Sequence, residues 1–172
     1  MSWTQPITWA FQQVWSAVIF NQQIRDNLLY LKNRPYDKSY LGVVDQTGIT
    51  TAWVAVTNGA LQIILPVTGV LEFSWRMHVY STTVNARVSV DIFDVDNGVY
   101  LSSGTATPTT NGIAHHYTHP TASIGSSACG SFIQEGVAAG THNYEFRVLS
   151  TAAATTIENS STRNAVWVKE VA

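Results

Sequence analysis

The sequence predicts a mainly β protein: an antiparallel, jelly-roll-like β-sandwich preceded by an extended N-terminal arm and one short α-helix. Three observations predict it. From position 40 onward, β-branched and aromatic residues alternate with polar ones in run after run. Asn58-Gly59, Asn97-Gly98 and Asn111-Gly112 punctuate those runs, and such dipeptides supply the positive φ of tight turns. Only one stretch, 17–32, repeats its apolar residues at helical spacing. Composition agrees with a packed core. Of 172 residues, 45% are hydrophobic and 11% aromatic, which excludes a disordered chain. Only 12% are charged, about half the share usual for a soluble domain. A surface this poor in charge, with a net of −2, favours association.

The elements follow in order. Residues 1–35 form one unit, a docking arm and helix, and residues 36–172 form the β-sandwich head. Three of the six tryptophans, Trp3, Trp9 and Trp15, fall in the arm at a spacing of six, which fits no helix face. Left in water they would make an exposed apolar patch, and Trp is enriched where one protein fills a pocket on another. They are expected to dock the chain onto a partner. Ser16 is a suitable N-cap, and Ala17, Phe20, Ile24, Leu28 and Leu31 make one apolar stripe. Lys32 and Arg34 suit the negative end of the helix dipole, and Pro35 stops the helix. At about 1.5 Å per residue the helix spans roughly 24 Å, too short to stand alone. Its stripe therefore needs cover, from the head, from other copies or from a partner. Asn27, beside the stripe, would fix register in a bundle seam.

The clearest strand is 71–79. Leu71, Phe73, Trp75, Met77 and Val79 share one face, while Glu72, Ser74, Arg76 and His78 share the other. Similar runs lie at 51–56, 60–65, 87–94, 144–149 and 164–171. Eight to ten short strands with turns between them indicate a sandwich or jelly roll. Residues 97–144 hold a single charged side chain, Glu135, and four histidines. They are expected to mix long loops with strands buried against neighbours.

Candidate sites are few. His115, Tyr117 and His119 would share a strand face, but the acid a metal site wants is far away at Glu135. The run reads as a polar interface segment, with no metal and no cofactor expected. Asp94-Val-Asp96-Asn97-Gly98 begins like a calcium loop, yet Gly98 takes the third ligand position and no acid closes the loop. It reads as the acidic turn of a hairpin. Cys129 is the only cysteine, so no intramolecular disulfide or cysteine zinc cluster can form. No nucleophile elbow occurs, and no catalytic residue is expected. A net of −2 argues against phosphate-neutralising nucleic-acid binding, and no apolar run approaches a bilayer span. No export signal is evident in the first residues, so assembly in a cytoplasm is expected.

Two segments resemble a known group. Trp3-Thr4-x-Pro6-x-Thr8-Trp9, followed by Asn21-x-x-Ile24-Arg25-Asp26-Asn27-Leu28-x-x-Leu31-Lys32, is similar to the N-terminal segment of tailed-bacteriophage virion proteins of the minor tail, tail-fibre and head-fibre type. The chain departs from that pattern at Phe11-Gln12-Gln13, where Gly and an acid are usual. Residues 139–146 (Ala-Gly-Thr-His-Asn-Tyr-Glu-Phe), Ala154-Thr155 and Val168-Lys169-Glu170 resemble the last strands of jelly rolls in trimeric phage knobs, like those of tumour-necrosis-factor and complement C1q heads. The resemblance implies a non-enzymatic virion structural protein on the outer surface of the particle. It also implies a homotrimeric decoration or short fibre, bound to capsid, neck or tail proteins. Phe20, Ile24, Asn27, Leu28 and Leu31 would form the trimer seam. The alternative is a host-receptor or glycan-binding tail module, using the loops of 97–144 with Tyr100, His115, Tyr117 and His119 as ligand or interface residues.

Overall fold

A computed structural model describes residues 17–42, 44–109, 111–122, 124–152, 154–158 and 164–171. Trp3, Trp9 and Trp15 lie outside the described residues. One helix, α1 (Ala17–Lys32), precedes eleven strands among these residues. They are β1 (Tyr36–Tyr40), β2 (Gln46–Ile49), β3 (Val54–Leu65), β4 (Gly69–Ser81), β5 (Arg87–Asp94) and β6 (Val99–Tyr100). Then come β7 (Ala114–Tyr117), β8 (Ser126–Val137), β9 (Gly140–Ser150), β10 (Thr155–Glu158) and β11 (Ala165–Glu170). All strand pairings are antiparallel.

The strands form two sheets. In the first, β4 pairs with β8 along one edge and with β11 and then β10 along the other. Beyond these, β1 pairs with β11 and β2 with β10. In the second, β9 lies between β3 and β5, and β5 also pairs with β6 and β7. The fold is thus an antiparallel jelly-roll sandwich with one short helix before it.

Alternation builds the core, because successive strand side chains point to opposite faces. Leu71, Phe73, Trp75, Met77 and Val79 of β4 all turn inward. They meet Val88, Val90 and Ile92 of β5 and Tyr144, Phe146 and Val148 of β9 across the sandwich. Phe73 meets Tyr144 edge-on at 4.7 Å between ring centroids, and Trp75 meets Phe146 at 6.0 Å. Where the Trp75 indole needs room, β8 supplies a glycine in register, Gly130. A Cβ there would sit 2.5 Å from Trp75 Cζ2.

One expected turn proves to be something else. Asn58-Gly59 does not separate two strands; β3 runs straight through it. The register against β9 slips between Ala55 and Ala60, and Asn58 takes φ 59°. The pair forms a bulge, which increases local twist without reversing the chain. Gly59 is required there because a Cβ would lie 2.8 Å from the Val56 carbonyl and side chain. Nearby, the outer edge of β3 is closed by a side chain. Asp37 Oδ2 on β1 accepts the Gln62 N–H at 2.7 Å, covering an edge group that would otherwise be open to pairing.

The close fit at Trp75 yields a stability prediction. Gly130→Ala will destabilise the protein by about 1–3 kcal/mol through overpacking. Ser131→Ala, on the opposite face of the same strand, will change stability by less than about 0.5 kcal/mol. Urea unfolding followed by tryptophan fluorescence measures both.

Candidate functional site

Three regions of the described surface carry side chains that chemistry could use. The first is α1. Phe20, Ile24, Leu28 and Leu31 are 41%, 44%, 60% and 47% exposed, so the head does not cover the stripe. Tyr30 is the buried residue of the helix. Its hydroxyl donates to the Glu170 carboxylate, and Arg34 Nη1 donates to the Val171 carbonyl at 2.6 Å. Burial, then the Glu170 hydrogen bond and charge, push the Tyr30 phenol up to about 12, so it donates at every ordinary pH. These two contacts fix the last turn of α1 to the end of β11.

The second region is the segment after β5. Asp94 closes the hairpin: its carboxylate accepts Asn97 N–H and Asn97 Nδ2–H, and its carbonyl accepts Gly98 N–H. Asp96 reaches across to accept two donors of Asn143. These acids are spent on the backbone and side-chain amides of Asn97 and Asn143, as an acidic turn requires. Among the described residues no three His, Cys, Asp or Glu side chains converge as a metal site would need.

Tyr100 is only 5% exposed. Its ring meets Phe93 at 4.9 Å and Trp53 at 6.0 Å, and its hydroxyl accepts from Arg147 Nη1 at 2.7 Å. The Arg147 guanidinium lies 3.8 Å over the Phe93 ring. Tyr100 therefore packs the loop down onto the second sheet and has no free face to stack on a ligand. His115 and Tyr117 do come together, edge-on at 5.9 Å, on the last strand of that sheet. Tyr117 is exposed, and His119 Nδ1 accepts the Thr121 N–H.

Beneath the same loop lies Asp91, fully buried. It accepts hydrogen bonds from Ser102 Oγ at 2.5 Å and from the N–H groups of Ile92 and Ser102. Desolvation raises its carboxyl above the usual 3.8, and those three hydrogen bonds oppose the rise. The run 87–94 reads as a strand in the sequence, with nothing to mark Asp91 as buried. It gave no sign that residues 101–109 would fold over it.

The third region was not singled out from sequence. Arg76 and His78 project from the outer face of β4, where they and Ser127 and Asn164 line a hollow of about 290 Å³. Glu158 Oε2 lies 2.5 Å from His78 Nδ1. The outward period of β4 was legible. The partners from β8, β10 and β11 come from 49 to 86 residues away and had no local signal.

No protein-family model matches the chain, and no curated protein matches its sequence. Solved structures do match. The chain is similar to Eiger TNF from S. frugiperda, at 9% identity and TM-score 0.50, over 81% of this chain and 94% of that one. It is also similar to murine APRIL at pH 5.0, at 7% identity and TM-score 0.49, over 81% of this chain and 100% of that one. A third likeness is to infectious bursal disease virus Gt strain, at 5% identity and TM-score 0.48, over 80% of this chain and 32% of that one. At such identities the likeness is one of fold. The head shares the antiparallel jelly-roll sandwich fold of Eiger TNF.

The buried acid gives a pH prediction. Because the folded state holds the Asp91 proton more tightly than the unfolded chain, the contribution of Asp91 to stability is complete below 3.8 and is lost as pH rises through the folded value. Asp91→Asn removes that loss. The variant should therefore gain stability relative to the native protein as pH rises from about 4 to about 7. Thermal melts across that range measure the divergence.

Proposed function

We propose that the chain is a non-enzymatic structural protein of a tailed-bacteriophage particle: a homotrimeric decoration or short fibre, held by its Trp-rich arm, with the jelly roll projecting outward. The observation that carries this reading is the apolar stripe of α1. It lies exposed along a helix whose last turn is fixed to the head by Tyr30 and Arg34. A short amphipathic helix gains its stability by packing that face, and the head leaves the face open.

Second and third copies of the same helix are the cover that fits. Ile24 and Leu31 stand seven residues apart, as do Phe20 and Asn27, which is the period of a helical seam. A polar Asn27 at such a position selects one register over others at a cost in stability. The TNF-like sandwich suits the role of a compact projecting head, and the bacteriophage pattern in residues 3–9 and 21–32 supports the particle assignment. The arm residues Trp3, Trp9 and Trp15 supply the anchor, into pockets on a capsid, neck or tail protein.

A second reading, a module for a host-surface glycan, is favoured by exposed Tyr117 beside His115 in the loop-rich half of the head. Without Tyr100, which is buried, that surface is small.

Two experiments test the virion reading. Sedimentation equilibrium of the full chain should give the mass of three copies, and Ile24→Asp with Leu28→Asp should give folded single chains. A native protein that remains monomeric at high concentration overturns the trimer. Removing residues 1–15 should leave a folded head that no longer joins particles. Unchanged incorporation overturns the anchoring role.

A further inference from the structure

The short strand β7 turns a histidine toward the core. His116 lies opposite Val88, and Ala114 opposite Val90. Directly opposed residues of an antiparallel pair share a face. Val88 and Val90 are fully buried, so the His116 ring enters the sandwich, while His115 and Tyr117 stay outside. Its Nε2 is shut off from solvent and has no hydrogen-bond partner among the described residues. A neutral imidazole can occupy that position. An imidazolium is far costlier there, because a charged N–H is buried with nothing to accept it.

The strand that carries this ring is lightly held. It is four residues long, and among the described residues it pairs with β5 alone. At its start the Ile113 N–H donates to the Val90 carbonyl at 2.9 Å. At its end the Thr118 N–H donates to the Ala86 carbonyl at 2.8 Å, and Thr118 Oγ1 accepts the Ala86 N–H at 2.9 Å. Ser126 Oγ donates to the Tyr117 carbonyl at 3.3 Å, which joins β7 to the start of β8. Short segments with few such bonds open at lower free energy than core strands. The other edge of β5 is paired with β9 along its whole length, so the two sheets stay in place when β7 leaves.

We propose that β7 is an acid-released edge strand: protonation of His116 drives its ring out of the sandwich, detaches residues 113–118 from β5 and bares the β5 edge. Backbone groups on such an edge are open to pairing with another strand, and at neutral pH β7 keeps them covered. The proposal goes beyond the virion reading and stands without it. The surrounding groups do not relieve the charge. The segment itself brings His115, Tyr117 and His119, and β8 brings Cys129 as its first titratable group. From β5 come Arg87 and Asp91, which alternate with Val88 and Val90 and so lie on the other face; Asp91 is already bonded to Ser102. Burial, then the charge of His115, hold His116 below its usual 6.5. The folded state therefore binds this proton less tightly than an opened one. The contribution of neutral His116 is complete above 6.5 and is lost as pH falls from there through the folded value.

Amide hydrogen exchange of the full-length protein, followed by NMR from about pH 7.5 to about pH 5, tests it. Protection is corrected for the intrinsic exchange rate at each pH. It is expected to fall at Ile113 and Thr118 once the pH drops below about 6.5, by up to about tenfold per pH unit. Val95 and Val171, whose N–H groups bond to the Asn143 and Val70 carbonyls, should keep their protection. His116→Leu should abolish the fall at Ile113 and Thr118, and His115→Gln should retain most of it. Constant protection at Ile113 and Thr118, an equal fall at Val95 and Val171, or an undiminished fall in a folded His116→Leu protein overturns the proposal. So does a His116 ring that gains its proton above 6.5 in the native chain. The native exchange and ring titration decide the matter even if a variant fails to fold.

Discussion

The five side chains that β4 turns inward, from Leu71 to Val79, hold the sandwich together, and the rest of the molecule takes its place from them. They pack across to β9, with Phe73 on Tyr144 and Trp75 on Phe146. Because β4 is paired on both edges, its alternation also fixes the register of β8, β10 and β11. A one-residue slip in any of these pairings would turn a strand's apolar set to water. The same constraint places Arg76 and His78 on the outer face. Core packing and the outer-face hollow are two sides of one strand.

A second, smaller packed layer lies outside the second sheet. The Phe93, Tyr100 and Trp53 rings gather with the Arg147 guanidinium among them, while Asp91 is buried under Ser102. A buried charge of this kind is tolerated because its hydrogen bonds are satisfied. In return it fixes the segment after β6 against the sheet. The near absence of charge in residues 97–144 has two sources here: part of the segment is packed down as an outer layer, and part forms the strands β7 and β8. Glu135 on β8 keeps the lone charge exposed.

The helix follows different rules. Among the described residues, Tyr30 and Arg34 connect its C-terminal end to the head, both reaching the end of β11. Phe20, Ile24, Leu28 and Leu31 stay exposed along it. A short helix with exposed apolar side chains gains stability from whatever packs on that face.

Much of the fold was written locally. The period of two in β4, the period near 3.6 in α1 and the Asn97-Gly98 turn each state their own conformation, because side-chain direction follows from backbone geometry within a few residues. The sequence by itself determined the fold class, the C-terminal end of the helix, the inward set of β4 and the hairpin acids. Tertiary structure alone decided that Asn58-Gly59 is a bulge, since only pairing with β9 distinguishes a bulge from a turn. It alone buried Tyr100 and Asp91 beneath a loop, and it alone set Glu158, Asn164 and Ser127 around His78. Those outcomes depend on which strands become neighbours. That is settled by burial of the whole apolar set at once, and no short window of sequence contains it.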